Sequence, residues 1–465
     1  MAYPMKLLPE SAVMGADNFT RQTIMLNPSA GNSQTKYRGG DKIVFQIPAY
    51  KASFIDWSRS FLQFAADTAS NQIRLCDGLP VVRRMVVSFG GVVIEDVSNY
   101  DTLEKVWKMT ATKVGDALNG YLYGDFSQSS PLVVDATGAP ATALTAAQKI
   151  SSIIATEQST ASGTGEVYFK KLISGVLTED YMFPVHRLNG GSMLNIELEL
   201  ASAYQCCAHT AAYGAATVAA APAAADYWYE LSQVRFQLEL LRVSDEYFRK
   251  FNDAANSKEL VLPITTFKSH VATFDKSQDN AVINIHSNSK DLKRVYVTMQ
   301  DAQGTTSTQE AWKPKFAGGR GDDTRLAGYQ FRYMNRNFPS SGPIVCGDNL
   351  QAALANALTN TKGSLMNEDL PLMCAFDRTS DNERKSIFQF NPIIVQNFSY
   401  DDDLVSGLNV NAASTPVICE LQFAITGSPS GSRNVVSFTE NSASLVLDEN
   451  GNASIVQKRP AGLTE

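Results

Sequence analysis

The sequence predicts an all-β chain built as two antiparallel sandwiches in tandem, and three observations carry that reading. Apolar residues alternate with polar ones at period two in "KIVFQI", "MLNIELEL", "AVINIHS" and "VICELQFAI", the spacing that gives a strand one buried face. Charged residues are 19% of the chain, while Gly, Ser, Thr, Asn and Ala are plentiful, a composition of turns and strands more than of helices. An order of elements also appears twice along 465 residues, which is long enough for two or more domains, each with its own core.

The elements follow in order. Residues 1–36 are polar and irregular and are expected to form an arm. In "GGDKIVFQIP", Ile43, Phe45 and Ile47 share one parity. "IDWSRSFLQFA" reads as the next strand, with Trp57, Phe61 and Phe64 as core candidates. "VVRRMVVSFGGVVIED" reads as two strands about Gly90-Gly91. In 99–109, Leu103, Val106 and Trp107 fall at helical spacing, with Asn99 or Asp101 as cap. Residues 110–180 form a long Ser-, Thr-, Ala- and Gly-rich excursion, expected to be a surface loop or tower. "MLNIELEL" and 227–243 are strands, and 245–254 is a helix that closes the first half. The second half opens with "VLPITTFKSHVATF" and continues through strands "AVINIHS" and "LKRVYVTMQ". A Gly-rich loop, "FAGGRGDDTR", precedes "AGYQFRYMNRNFPSSGPI". In that stretch Tyr329, Phe331 and Tyr333 share one strand face, and Asn335 and Asn337 suit a turn. A helix at 348–358 and strands "IFQFNPIIVQ", "VICELQFAI" and "ASLVLDENGNASIVQ" complete the chain.

Composition excludes several functions. The 40 Lys and Arg against 47 Asp and Glu leave a net charge of −7, and residues 1–36 carry no basic run, so the counterion-displacing surface of a sequence-independent nucleic-acid binder is missing. No long apolar leader and no apolar run of membrane-spanning length is present. The six cysteines, at 76, 206, 207, 346, 374 and 419, form no CxxC pair and read as free thiols of a reducing compartment. The four histidines, His186, His209, His270 and His286, make no HxH or HExxH set, so no metal ligand set, cofactor or catalytic group is assigned. Nucleotide-binding glycine motifs and the GxSxG nucleophile turn are missing too, and the chain reads as a non-enzyme.

The repeat refines the architecture. Sliding the chain by 238 brings Val44 onto Val282, Ile47 onto Ile285, Phe54 onto Leu292 and Trp57 onto Val295. Met85–Phe89, Gly90-Gly91, Val92–Ile94 and the helix at 99–109 are echoed by Tyr329–Met334, Asn335–Asn337, Phe338 and the helix at 348–358. "MLNIELEL" is echoed by "VICELQFAI". The expected organisation is an arm (1–36), a first jelly roll (37–260, with the long loop 110–180) and a second jelly roll with the C-terminal tail (261–465).

On these pieces, with "YRGGDKIVFQIP", "MFPVHRLNGGSMLNIELEL", "LKRVYVTMQ", "YQFRYMNRNFPSSGPI" and "DDDLVSGLNVNAASTPVICELQFAI" in that order, the chain resembles the double jelly-roll major capsid proteins of icosahedral double-stranded DNA viruses. The resemblance is to those of Polinton-like viruses, adintoviruses and virophages, with the adenovirus hexon a more elaborate relative. It implies a homotrimer whose six barrels imitate a hexagonal tile, contacts with neighbouring capsomers, penton and minor capsid proteins, no sequence-specific nucleic acid, and residence in the virion after synthesis in the host cytoplasm or nucleus. A tandem β-sandwich that binds glycans or receptors is the alternative. Arg320-Gly321-Asp322 is a candidate receptor-binding tripeptide, set against a chance occurrence in a turn-forming loop. Asp401–Asp403 are a candidate cation site, and Asn18, Asn397 and Asn452 stand in N-x-[ST] sequons.

Overall fold

The computed structural model describes residues 19–29, 33–68, 73–75, 81–111, 166–178, 182–187, 193–203, 207–209, 228–246, 248, 259–301, 316–319, 322–347, 350–361, 373, 376–377, 385–386, 388, 392–399, 407–410, 415–448 and 452–456.

The first unit contains β1 (Phe19–Leu26), β2 (Lys36–Tyr37), β3 (Lys42–Ile47), β4 (Ser53–Ile55), β5 (Phe61–Thr68), β6 (Ile73–Leu75), β7 (Val82–Phe89), β8 (Val92–Ser98), α1 (Tyr100–Ala111), β9 (Glu166–Lys170), β10 (Leu194–Leu200), β11 (Cys207–His209) and β12 (Tyr229–Val243). One sheet has the order β1-β12-β5-β9, with β2 and β4 also on β12, and the facing sheet has the order β3-β10-β7-β8. The short β6 and β11 pair with each other. Setting β2, β4, β6 and β11 aside, eight strands remain, and their positions in the chain read 1-8-3-6 in one sheet and 2-7-4-5 in the other. This is jelly-roll connectivity.

The second unit repeats it. It contains β13 (Glu259–Asp275), β14 (Asn280–Ile285), β15 (Leu292–Asp301), β16 (Thr324–Tyr333), β17 (Arg336–Phe338), β18 (Ile344–Val345), α2 (Gln351–Asn360), β19 (Phe376–Asp377), β20 (Lys385–Ser386), β21 (Ile394–Asn397), β22 (Val417–Ile425), β23 (Ser432–Asp448) and β24 (Ala453–Val456). Its sheets run β13-β23-β15-β21 and β14-β22-β16-β17, again 1-8-3-6 and 2-7-4-5, with β24 added on β23 and β18 on β16.

The match extends to single residues. The slide of 238 carries Lys42–Ile47 onto Asn280–Ile285, the whole of β3 onto the whole of β14. Ile47 stands opposite Leu194 as Ile285 stands opposite Val417. The row Phe45, Ile196, Val87 in the first unit matches Ile283, Cys419, Phe331 in the second. The row Ile43, Leu198, Met85 matches Ala281, Leu421, Tyr329. All twelve of these row residues are buried, so the alternation legible in the sequence is the inner face of one sheet in each sandwich.

Some expectations are corrected. Residues 19–26, placed in the irregular arm, form β1 along the full width of Leu241 and its neighbours on β12. Ile24 and Leu26 are half-buried while residues 20–23 and 25 are exposed, so its alternation is too weak to read. Phe61 is half-buried and Leu62 takes its place in the core, because a 3-10 turn at Trp57–Arg59 resets the strand's parity before β5. For the same reason the slide fails at Trp57, which lies in that turn while Val295 lies within β15. The turn after β16 rests on Met334, the residue there with positive φ (52°), and not on Asn335 or Asn337; the matching turn of the first unit uses Gly90 and Gly91. The helix expected at 348–358 begins at Gln351. Within 245–254, residues 245, 246 and 248 are helical, and the rest lie outside the described residues, as does most of 110–180.

Candidate assembly surfaces

Each unit bears a helix between the fifth and sixth of its eight main strands, and the two helices meet different surroundings. In α1, Tyr100, Leu103, Val106 and Met109 are fully buried, and each such side chain contributes roughly 1.5–3 kcal/mol by leaving water. Leu103 and Val106 sit where helical spacing placed them. Trp107, expected on that same face, turns instead toward the second unit and meets Phe267 of β13 edge-on at 5.5 Å. Lys105 lies 4.7 Å over the Phe316 ring, and Gln300 of β15 donates to Thr102 Oγ1 at 2.9 Å. These contacts tie α1 to both units.

Beside the helix, the carboxylate of Glu95 on β8 is 3% exposed and holds the junction. Its Oε1 accepts from the backbone N–H of Phe267 and its Oε2 from that of Gly175, both at 2.7 Å. Sheet edges present unpaired backbone groups, and here a side chain of one unit caps the edge of the other. Gly175 lies so close to β13 that an added Cβ would fall 1.9 Å from the Thr265 carbonyl oxygen. Sequence reading missed Glu95, because within "VVIED" it looks like an ordinary outward charge.

Buried charges pin the helices. Lys170 of β9 pairs with Glu104 of α1, both buried. In the second unit, Arg294 Nη1 reaches Glu440 Oε1 and Oε2 at 3.1 and 3.2 Å, Tyr296 donates to Glu440 Oε2 at 2.8 Å, and Arg294 Nε donates to the Asn360 carbonyl at the end of α2 at 3.1 Å. A cation at a helix C-terminus is favoured by the helix dipole. Burial and the Glu440 charge push the Tyr296 hydroxyl well above its ordinary pKa.

The residues singled out from sequence fall as follows. Asp322 accepts from the buried Arg433 at 2.8 Å and from the Gly318 N–H at 2.7 Å, so its carboxylate is engaged within its own unit; Arg320 and Gly321 lie outside the described residues. Tyr329, Phe331 and Tyr333, which share one strand face, are buried together, and Arg332 pairs with Glu420 at 3.0 Å on the outer face. Asn397 accepts from the Ser399 N–H at 2.9 Å, and Asn452 bonds Asp448 at 2.7 Å through its side-chain amide. Asn18 and Asp401–Asp403 lie outside the described residues, and no group of His, Cys, Asp or Glu able to hold a metal occurs among the described ones.

His186 is held between Phe54 and Phe248 at 5.0 and 4.8 Å, and burial lowers its pKa to about 4. His270 is likewise lowered to about 4 by burial, with His286 and Lys268 adding to the shift. Cys346 and Cys419 are free and buried, and burial raises the Cys346 thiol to about 12. Among the described residues, no helix is long and apolar enough to cross a membrane.

With the fold in view, the chain was compared with known proteins. No protein-family model and no curated protein matches the sequence. Solved structures do. The PBCV-1 VP54 structure fitted into a reconstruction of the virophage Sputnik matches with a TM-score of 0.59 at 10% identity, over 97% of this chain and 99% of that one. The Faustovirus major capsid protein matches with a TM-score of 0.54 at 10% identity, over 95% and 92%. The mavirus major capsid protein matches with a TM-score of 0.52 at 12% identity, over 98% and 95%. The fold is a double jelly roll. The coverage is nearly complete in both directions, so the likeness spans both units of this chain.

Proposed function

We propose that this double jelly roll is a major capsid protein, and that it assembles as a trimer whose six similar barrels tile an icosahedral viral shell around DNA. The observation that carries the reading is the pair of jelly rolls with identical strand order in one chain, matched end to end by the major capsid proteins of Faustovirus and mavirus. A threefold assembly of a twofold repeat approximates sixfold symmetry, which lets one trimer meet six neighbouring trimers with similar surfaces. The role is structural and not catalytic, and the protein resides in the virion. The net charge of −7 suits a wall that encloses DNA without gripping it.

The test is native mass measurement with negative-stain imaging. The expected result is a particle of about three times the 50.6 kDa chain with a pseudo-hexagonal outline. A stable monomer that binds glycan would instead favour the sandwich binding module.

A further inference from the structure

Two rows of side chains cross the sheet β13-β23-β15 on the face that Phe267 presents to Trp107 of the first unit. In one row Phe267 stands opposite Glu440, and Glu440 opposite Arg294. The charges of that row are matched. The adjoining row holds Thr265, Ser442 and Asp291. Thr265 stands opposite Ser442, and the Ser442 N–H donates to the Asp291 carbonyl at 3.0 Å, just before β15 begins. In this row the charge is unmatched. Asp291 is 1% exposed. Its Oδ1 accepts from the Gly407 N–H, and Gly407 comes so close that an added Cβ would fall 2.4 Å from that oxygen. Its Oδ2 is enclosed and unbonded, and so is the Oγ of Ser442 on the opposing strand. Among the described residues Asp291 has no ion-pair partner, and Arg294 in the adjoining row is bonded to Glu440 and the Asn360 carbonyl.

A buried carboxylate without a counter-charge is strongly destabilising. A bridging water could donate to both orphan oxygens, but it would leave the charge unmatched. Opposed residues of neighbouring antiparallel strands hold their Cβ atoms about 4.5–5.5 Å apart. That leaves room for one ion between two oxygen ligands, each at about 2.3–2.6 Å. We propose that Asp291 Oδ2 and Ser442 Oγ are ligands of a calcium ion, with main-chain carbonyl or water oxygens completing its shell. The row offers hard oxygen donors and neither His nor Cys, which favours calcium over zinc or copper. Magnesium sheds its own waters reluctantly and demands a near-ideal octahedron, so it suits an enclosed pair less well. A single carboxylate puts the affinity at the weak end, with a dissociation constant of about 10⁻⁴–10⁻³ M. The ion would pin β23 and the Gly407 segment to the start of β15. This site is separate from the acidic run Asp401–Asp403.

Equilibrium dialysis of the chelator-treated full chain against radioactive calcium tests it. The wild type is expected to bind one ion per chain at this site. Asp291→Asn keeps the shape and an acceptor for Gly407, and is expected to weaken binding at least about tenfold; Ser442→Ala is expected to weaken it about threefold. Calcium at ten times its dissociation constant is expected to raise the melting temperature of the wild type by about 1–2 °C. It should leave that of Asp291→Asn unchanged. In chelator, Asp291→Asn should melt no lower than the wild type, because it removes an unmatched charge. A variant that melts lower than the calcium-free wild type makes the carboxylate a purely structural group and overturns the proposal. Absence of calcium binding overturns it as well. So does binding that survives in Asp291→Asn but is lost when Asp401, Asp402 and Asp403 are all changed to Asn. Displacement of calcium by an equal concentration of magnesium overturns calcium as the ion.

Discussion

Glu440 lies wholly out of water, and so does its partner Arg294, which makes the pair sensitive to the loss of either member. Removing the charge by Glu440→Gln leaves Arg294 buried without its counter-charge. The expected cost is about 3–5 kcal/mol, read as a lower denaturant midpoint with the slope unchanged. Titrating groups act in two directions. Asp101 has its Oδ1 enclosed and unbonded, and burial raises its pKa from 3.8 to about 6. The folded state therefore holds a proton that the unfolded chain has lost, so stability on this account is full at low pH and falls as pH rises through about 6. Asp101→Asn is expected to be the more stable protein at neutral pH, by about 1–2 kcal/mol, with the gap closing on acidification. His186 and His270 work oppositely. Their neutral forms are favoured by burial, so their contribution is present above 6.5 and is lost as pH falls toward about 4. Melting temperatures of the wild type and of His186→Phe across that window check this: the substitution should flatten the acid side of the profile.

At the scale of elements, the strands with clean alternation were legible because one face of each is dry. Strands β3, β10 and β14 show this, with every second residue buried. The elements that were misread are those whose pattern is set by a neighbour. The parity of β5 depends on the 3-10 turn before it, and β1 is an edge strand with little to bury. The α1 helix was legible from Leu103, Val106 and Trp107, but not that Trp107 serves the other unit, since helical spacing does not say which of two sandwiches lies against a stripe. The segment 171–178 illustrates the same limit. Gly175 there permits an approach to β13 that no side chain allows, and Gly175→Ala is expected to cost about 1–3 kcal/mol by forcing the units apart. Calorimetry of the variant is expected to show unfolding that is broader than the wild type's or split in two.

For the whole molecule, the contact between units has consequences for assembly. The chain carries −7, so the proposed trimer would carry 3 × (−7) = −21, and such trimers would repel one another at low ionic strength. If the proposed trimers form, their growth into shells, followed by light scattering, is expected to accelerate as salt is raised, and trimers held by a packed interface should persist. Loss of the proposed trimer with salt would place its interface among exposed charges and contradict a packed, buried one.

The alternation, the glycine turns and the repeated order were sufficient by themselves for two all-β units of similar plan, because burying one face of a strand is a local demand written into period two. Tertiary structure alone decided how the units are joined. Glu95 becomes a clamp, Trp107 a bridge and Asp322 an anchor for Arg433 only after residues far apart in the chain are brought within hydrogen-bonding reach. The same folding covers the edge of β13 with β8 while β1 pairs only with β12 among the described strands, a difference between two copies of one plan that no local pattern records, because it depends on which neighbour each copy has.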